Sequence, residues 1–539
     1  MVTGKGQTVC GGIVSGKVFA CRRAGRRAIA ASLGIDEELK RYHKARGQVS
    51  DRLEALRRKT AEEAGEAGEA QAQIIEVQQL MLEDQDLIDG TEGRIREGMS
   101  AAEAALQCAK ETADEFRAME DEYFRARAAD ILDVSEQLAT ALGAGQEMPA
   151  LTQPSVIFAE DLAPSETLSF PRNLILGIVT RGGSSTSHTA ILARMLNIPA
   201  IVQADFEMQQ IRDGQEAAVD GTEGIFYLDP DAETLCRMEE LRDKEQSVQT
   251  ALEKYRGQPS QTRSGRKISL YANIGSAADA QAAADADAEG IGLMRSEFLY
   301  IGRDSCPAEE ELYEAYCKVI ETMGGRKVII RTMDIGSDKQ VSYFAGEPEE
   351  NPALGYRGIR FYQKHVQAFE SQMRAIIRAA ATGPVGVMFP MITQESEVRH
   401  LRQECERIRK ELQEENLPAG SFEFGIMIET PAAALITDQL AKEVDFFSVG
   451  TNDLTQYTLA IDRQNAELSG QFDPHHPALL QLLSLIAQNA RKEGIWAGIC
   501  GELAADTALT EKFLDWGYEE LSVSPASVLK LRQVICNLN

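Results

Sequence analysis

The sequence predicts a multidomain protein: an α/β domain with an inserted α-helical subdomain, a helical linker, and a C-terminal (β/α)8 TIM barrel. Three observations carry that expectation. Between about Asp36 and Leu142 the chain is rich in Ala, Glu, Arg and Leu at helical spacing and holds no proline, so it reads as several long helices. Short Val- and Ile-rich runs broken by turn residues lie on both sides of that block, which marks it as an insertion into a β-rich core. From about residue 265 onward, apolar strand-like runs alternate with helical segments, the pattern of a parallel barrel wrapped by helices.

Taken in chain order, VCGGIVSGKVFA (Val9 to Ala20) opens the β-rich part, and SVIFAEDLAPSET, LILGIVT, IPAIV and EAAVDGTEGIFYLDP continue it as short strands after the helices. Asp231 to Tyr255 returns to helical periodicity without glycine, and QPSQTRSG (Gln258 to Gly265) closes that linker as a loop. Eight strand-like runs follow: ISLYANIG, GIGLMRSE, KVIIRTMDIG, VGVMFPMI, FGIMIETP, VDFFSVGTNDL, IWAGICGE and EELSVSP. The expected boundaries are 1–33 with 146–230 for the α/β domain, 34–145 for the insertion, 231–260 for the linker and 261–539 for the barrel.

Composition bounds the function. With 539 residues, 43% of them hydrophobic and 26% charged, the chain has material for several cores, at roughly 150 residues per domain. No apolar run approaches the roughly 18 residues that cross a bilayer, and the start MVTGKGQTVCGG lacks the apolar stretch of a secretory signal, so a cytoplasmic protein without membrane insertion is expected. Nine scattered cysteines without a CxxC pair indicate neither a disulfide framework nor a zinc site. A formal charge of −28 argues against a nucleic-acid surface, yet leaves room for a small anion wherever arginines are concentrated in one cleft. Arg295, Arg331, Glu429, Asn452, Asp453 and Cys500 each fall late in an apolar run, at the barrel edge that carries chemistry. Any one strand-end arginine fits an ordinary salt bridge; several converging strand ends favour a site.

The stretch GGSSTSHTAILAR, Gly182 to Arg194, places one of only six histidines at a helix start. Ser187 reads as the N-cap, which puts His188 in the first turn, where unpaired backbone amides and the helix dipole favour an anion. Gly182 and Gly183 permit close backbone approach, and Thr186, Ser187 and Thr189 offer hydroxyls. A neutral imidazole with an ordinary pKa of about 6.5 is a nucleophile able to accept a phosphoryl group. A capped helix with a polar surface histidine fits the same residues; the barrel features favour the functional reading.

These segments together resemble Enzyme I of the bacterial phosphotransferase system, the phosphoenolpyruvate–protein phosphotransferases. The resemblance rests on TSHTAILARMLNIPAIV around His188, GIGLMRSEFLY around Arg295, RTMDIGSDK from Arg331, ENPALGYRGIR around Arg357, MFPMI at Met388, GIMIETPAAA around Glu429, DFFSVGTNDLTQYTLAIDR from Asp445 to Arg463, and GICGELA around Cys500. It implies that the α/β domain carries a phosphohistidine and swivels about the linker. It also implies that phosphoenolpyruvate binds the barrel with Mg2+ and phosphorylates His188, and that His188 passes the group to a histidine of the carrier HPr. By the same resemblance Glu429 and Asp453 ligate the metal, oxygen ligands that suit a hard cation. Arg295, Arg331, Arg357, Arg463, Lys339 and Asn452 contact the substrate, the arginine fork matching phosphate and carboxylate. Cys500 is the acid that yields pyruvate, Thr167 orients the histidine ring, and Leu80, Met81, Asp84 and Leu87 of LMLEDQDL fall at HPr-docking positions. The family also implies a homodimer through the barrel.

Two departures stand out. Gly183-Ser184-Ser185 replaces the Gly-Gly-Arg common in the family, removing a positive charge, and the chain ends at Asn539 where many members continue, which bears on dimer affinity. Pyruvate phosphate dikinases and phosphoenolpyruvate synthases share the mobile histidine domain and barrel. They need a large ATP-binding domain, and here there is no GxxxxGK[ST] loop and too little chain for one. A catalytically idle regulatory protein is opposed by the intact Glu429, Asp453, Cys500 and arginine set. The absence of an N-terminal sensory domain points, by analogy, to the sugar branch of the system.

Overall fold

The computed structural model describes residues 1–22, 33–62, 75, 77–118, 122–144, 150–183, 187–196, 198–277, 279–301, 303, 305–336, 341–344, 349–463, 465 and 468–539. It comprises two compact units, Met1–Val248 and Gln249–Asn539, divided inside a helix that runs Ala232–Glu253, within the segment read as a linker.

The first unit is built on an eight-stranded sheet of β1 (Val2–Lys5), β2 (Gln7–Cys10), β3 (Ile13–Cys21), β4 (Ser155–Ala159), β5 (Ile175–Thr180), β6 (Ala200–Val202), β7 (Glu216–Asp220) and β8 (Ile225–Leu228), in the order β1-β8-β7-β3-β4-β5-β6-β2. Strands β3 to β6 run parallel in the centre, while β7, β8, β1 and β2 pair antiparallel at the flanks. The chain's first residues therefore complete a sheet whose other strands follow the helical block. A parallel centre must be covered on both faces, and β4 (SVIFA) is buried at every position. Its period of two divides those residues between layers: Ile157 and Ala159 join Phe19, Ile178 and Ala190, whereas Val156 and Phe158 join Val219 and Phe226.

Two local details refine the reading of short strands with turns. Val9 to Ala20 divides at Gly11-Gly12, where Gly12 adopts a left-handed φ of 114° that only glycine takes readily. The stretch SVIFAEDLAPSET is strand only as far as Ala159; Pro164–Ser169 is a short helix, with proline at its first position and Glu166 accepting a 2.7 Å hydrogen bond from the Ala163 amide.

Between β3 and β4 lie the helices α1 (Ile35–Glu62), α2 (Gln85–Arg96), α3 (Ala101–Ala118) and α4 (Glu122–Ala141), with residues 77–83 also helical. Tyr42, Leu53, Ile75, Ile95, Val134 and Leu138 form their core. A buried carboxylate staples this block to the sheet domain. Asp133 of α4 accepts from Gln78 Nε2 at 2.7 Å, from the Ser165 amide at 3.0 Å and from Ser165 Oγ at 2.5 Å. Three donors satisfy an acid that burial holds above its ordinary range.

The second unit is a closed barrel of eight parallel strands: β9 (Ser269–Ile274), β10 (Gly290–Arg295), β11 (Lys327–Arg331), β12 (Val385–Phe389), β13 (Phe422–Ile428), β14 (Phe446–Val449), β15 (Trp496–Ile499) and β16 (Glu520–Val523). Alternation again sorts side chains. Val328, Ile330, Ile426, Ile428 and Phe447 face the helices, whereas Leu293, Ile329, Met388, Met427, Phe446 and Cys500 fill the barrel. No helix among the described residues is long and apolar enough to cross a membrane.

The inner layer has little slack. Phe446 lies flat on Trp496, centroids 4.4 Å apart, and a Cβ on Gly425 would stand 2.2 Å from its ring. Replacing Gly425 by Ala is expected to lower stability by about 1–3 kcal/mol, the usual cost of overpacking. Urea unfolding of the two proteins, compared by midpoint at equal slope, measures it.

Candidate active site

The inward register of the barrel carries the expected residues to one rim. Arg331 continues the Ile329 face of β11, Glu429 continues the Met427 face just past β13, and Cys500 continues the Gly498 face just past β15. Arg295 ends β10 and pairs in register with Arg331 on the neighbouring strand. Asn452 and Asp453 lie in the first turn of the helix Thr451–Leu459, which starts as β14 ends. All six occupy the C-terminal ends of the strands, where barrel enzymes place their chemistry.

Within that rim a carboxylate which the sequence reading did not single out, Asp334, organises the cations. Its oxygens accept from Arg357 Nε at 3.1 Å and Nη2 at 2.6 Å, a two-pronged pair, and Arg331 Nη1 lies 3.6 Å away. Arg331 also donates to Glu297 at 2.5 Å. Burial alone would lower both guanidinium pKa values, but the surrounding carboxylates outweigh it and hold both above the ordinary range. Arg357 Nη1 lies 3.5 Å and Arg463 Nη2 4.0 Å from Asp453 Oδ1. Arg331, Arg357, Arg463, Glu429 and Asp453 therefore form one cluster. Among the described residues Arg295 has no hydrogen-bond or ion-pair partner, so its fork is uncommitted beside Arg331.

Glu429 is fully buried. Its Oε1 accepts from the Met391 amide at 2.7 Å, a donor delivered by a left-handed φ of 61° at Met391. Its Oε2 has no hydrogen-bond partner, and neither does Asp453 Oδ1. Burial first, then the charges of Asp453 and Asp334, push the Glu429 pKa up to about 8, against the pull of Arg331 and Arg357. A carboxyl held that high marks a site short of positive charge. Two carboxylates, each with an oxygen that accepts no hydrogen bond among the described residues, fit a hard divalent cation whose other positions are taken by water and substrate oxygens. Among the described residues no group of three or more His, Cys, Asp or Glu side chains forms a metal cage.

Asn452 is clamped by Glu502: its Nδ2 donates to Glu502 Oε1 and its Oδ1 accepts from the Glu502 amide, both at 3.1 Å. The Cys500 thiol is buried and donates to the Val449 carbonyl at 3.6 Å; burial pushes it up to about 12, so it keeps its proton at neutral pH. Lys339 lies outside the described residues.

In the first unit, Ser187 caps the helix His188–Met195 by accepting from the Ala190 amide at 3.3 Å. The structure describes the backbone of His188 and not its ring, and Ser184, Ser185 and Thr186 lie outside the described residues. Thr189 Oγ1 donates to the Leu162 carbonyl at 3.3 Å, tying the helix start to the segment that carries Thr167. Thr167 is buried and donates to the Ala163 carbonyl at 3.4 Å. In the helical block Leu80 is 63% exposed, and the half-buried Met81 and Leu87 line a partly open cavity of about 30 Å³ with Tyr42 and Ile88. Asp84 caps α2, accepting from the Leu87 amide at 3.0 Å.

The partners Asp334, Glu297, Tyr457 and Met391 were missed by the sequence reading. Asp334 and Glu297 lie inside the quoted motifs RTMDIG and GIGLMRSEFLY, and a buried arginine's need for a counter-charge was the signal available.

The raised Glu429 pKa has a thermodynamic consequence. The folded state binds its proton more tightly than the unfolded chain, so the penalty is absent below the ordinary value near 4.5 and complete above about 8. Thermal midpoints of the metal-free protein should therefore fall as pH rises through that window. Glu429→Gln should flatten the slope, as should millimolar Mg2+.

Comparison with known proteins shows the family of this chain. The model for the PEP-binding domain of PEP-utilising enzymes matches residues 249–539, that for their N-terminal domain residues 5–127, and that for their mobile domain residues 151–224. The phosphoenolpyruvate-protein phosphotransferase of Staphylococcus carnosus (strain TM300) is 39% identical over 508 residues, covering 94% of this chain and 88% of that protein. The protein of the same name from Listeria monocytogenes serovar 1/2a is 39% identical over 512 residues with the same two coverages, and that from Bacillus subtilis (strain 168) is 38% identical over 516 residues, covering 94% and 89%. With a family model spanning the entire barrel and relatives aligned along nearly the full chain, this protein belongs to the PEP-utilising enzymes, in the phosphoenolpyruvate-protein phosphotransferase family.

Proposed function

We propose that this chain transfers the phosphoryl group of phosphoenolpyruvate to His188 and then to a histidine of HPr, releasing pyruvate, as the first step of the sugar phosphotransferase system. The observation that carries the reading is the barrel rim, where Arg331 and Arg357 share Asp334 beside two carboxylates that each keep an oxygen without a hydrogen bond among the described residues. That combination suits an anionic substrate that brings its own cation. A Mg2+ ion held by Glu429 and Asp453 would supply positive charge at the phosphate and the developing enolate. Arg331 and Arg357, fixed in orientation by Asp334, receive the phosphate, and Arg295, Arg463, Asn452 and Lys339 complete its contacts and those of the carboxylate.

Cys500 supports the second half-step. As the phosphorus leaves, the enolate carbonyl forms and its methylene carbon takes the Cys500 proton, making a C–H bond while the S–H electrons stay on sulfur. His188 accepts the phosphoryl group at a helix start whose free amides and dipole stabilise the anion formed, with Thr167 orienting the ring. HPr docks on the helical insertion near Leu80, Met81, Asp84 and Leu87, of which the exposed Leu80 offers an apolar contact. One imidazole cannot meet phosphoenolpyruvate and HPr at once, so a swivel about residues 231–260 belongs to the proposal, with 1–33 and 146–230 as the moving domain, 34–145 as the insertion and 261–539 as the barrel. A cytoplasmic homodimer joined through the barrel completes it.

Incubation with labelled phosphoenolpyruvate and Mg2+, without ATP, should give acid-labile, base-stable label that then moves to added HPr. Label persisting in His188→Ala would refute the assignment. Cys500→Ala should still bind HPr but form pyruvate roughly a hundred-fold more slowly or worse, as expected for loss of a general acid. Asp334→Asn, which leaves Arg331 and Arg357 without their shared counter-charge, should cost at least about ten-fold in kcat/KM for phosphoenolpyruvate through mispositioning; an unchanged value would show that Asp334 does not hold the arginines for substrate.

A further inference from the structure

The chemistry above uses only the rim, and one buried carboxyl deeper in the barrel remains without a task. Glu520 opens β16 with its side chain inward, is 1% exposed, and has no hydrogen-bond partner for either carboxyl oxygen among the described residues. The barrel makes room for it with two glycines. Oε2 lies 1.8 Å from where a Cβ of Gly498 would stand, and Oε1 lies 2.4 Å from that of Gly292. An ionised carboxylate so enclosed is too costly to hold without donors, so burial raises its pKa well above the ordinary range against the opposing charge of Lys327. An enclosed carboxyl without donors favours its neutral, proton-bearing form.

Its surroundings connect the active rim to the opposite mouth. Cys500 lies two residues beyond Gly498 along β15, on the same inward face, about 7 Å further up. Burial is the first cause that raises the thiol, and ionisation of Glu520 or Glu429 would raise it further, while Arg331 and the Ser448 hydroxyl act to lower it. Below, burial pushes the Tyr271 phenol up to about 12, so it is neutral. At the N-terminal ends of the strands Lys327 donates to Glu423 at 2.6 Å and Trp496 Nε1 to Glu423 at 3.1 Å, with Lys327 a quarter exposed. Lys327 and Glu423 thus bring partly exposed polar groups to the barrel mouth on the Glu520 side.

We propose that Glu520 is the proton reserve of Cys500, reloading the sulfur between turnovers. The proposal rests on the reading of Cys500 as the donor to the enolate. When the thiol has given its proton to carbon, a buried thiolate remains. The Glu520 O–H bond then breaks and an S–H bond forms, the O–H electrons staying on the carboxylate. Bulk water returns a proton to Glu520 from the Lys327 side, leaving hydroxide to the buffer. Glu520 touches no substrate and acts only through Cys500.

Rapid-quench kinetics with phosphoenolpyruvate, Mg2+ and excess HPr separates the first turnover from later ones. Wild-type protein should show one rate throughout. Glu520→Gln, which keeps the shape and neutrality but not the acidic proton, should form its first pyruvate within about two-fold of wild type and later ones at least about ten-fold more slowly, a burst that mere loosening of the barrel would not give. Glu520→Leu, of similar volume, should give the same burst, and Glu520→Asp should restore part of the later rate. Steady-state turnover equal to wild type in Glu520→Gln, or first and later turnovers slowed alike in both Gln and Leu variants, would overturn the proposal. Normal first-turnover pyruvate formation in Cys500→Ala would instead remove the donor role on which it rests.

Discussion

The barrel site depends on the enclosed carboxylate of Asp334. Guanidinium groups as buried as Arg331 and Arg357 are tolerated only when paired, and one residue serves both, with a two-pronged contact to Arg357 and a longer one to Arg331. The pairing does more than neutralise. It fixes the planes of two forks before any ligand arrives, so that an incoming phosphate meets donors whose orientation has already been settled. Glu297 from the other side and Tyr457 from the helix Thr451–Leu459 complete the frame.

Around that frame the charges do not cancel. Glu429 and Asp453 stand within reach of the same arginines, yet each keeps an oxygen without a hydrogen bond, and Glu429 is held near neutrality in its proton affinity by burial and by its acidic neighbours. The local imbalance suits the proposed binding of a divalent cation together with an anionic substrate. The same imbalance explains why the net charge of the chain, strongly negative, is no obstacle to an anionic substrate.

Much of the architecture was legible in the sequence because it rests on periodicity. The alternation that puts Ile329 and Arg331 inward also puts Val328 and Ile330 outward, and it is present in KVIIR as letters. The cap at Ser187 was legible for a similar reason, since a serine preceding an apolar-periodic run has few other uses. What escaped was the content of loops. The helix at Pro164–Ser169 hid in a stretch that began as a strand, and its start is fixed by a Glu166 contact to the Ala163 amide that no pattern announces. Asp334 and Glu520 escaped for the opposite reason: each lies in or beside a strand, and only the closed barrel shows that one faces two arginines and the other has no hydrogen-bond partner among the described residues. Asp84 belongs with them, a residue of the proposed docking segment whose carboxylate is already used as a helix cap.

The central claim is that phosphorus passes from an enol ester in the barrel to a single imidazole at a helix start. Tandem mass spectrometry of the protein charged with phosphoenolpyruvate and Mg2+, kept at alkaline pH to preserve a phosphoramidate, reads the acceptor directly. The account predicts one added phosphoryl group per chain, on His188. A group located on any other side chain, or an uncharged protein that becomes labelled only with ATP, would contradict it.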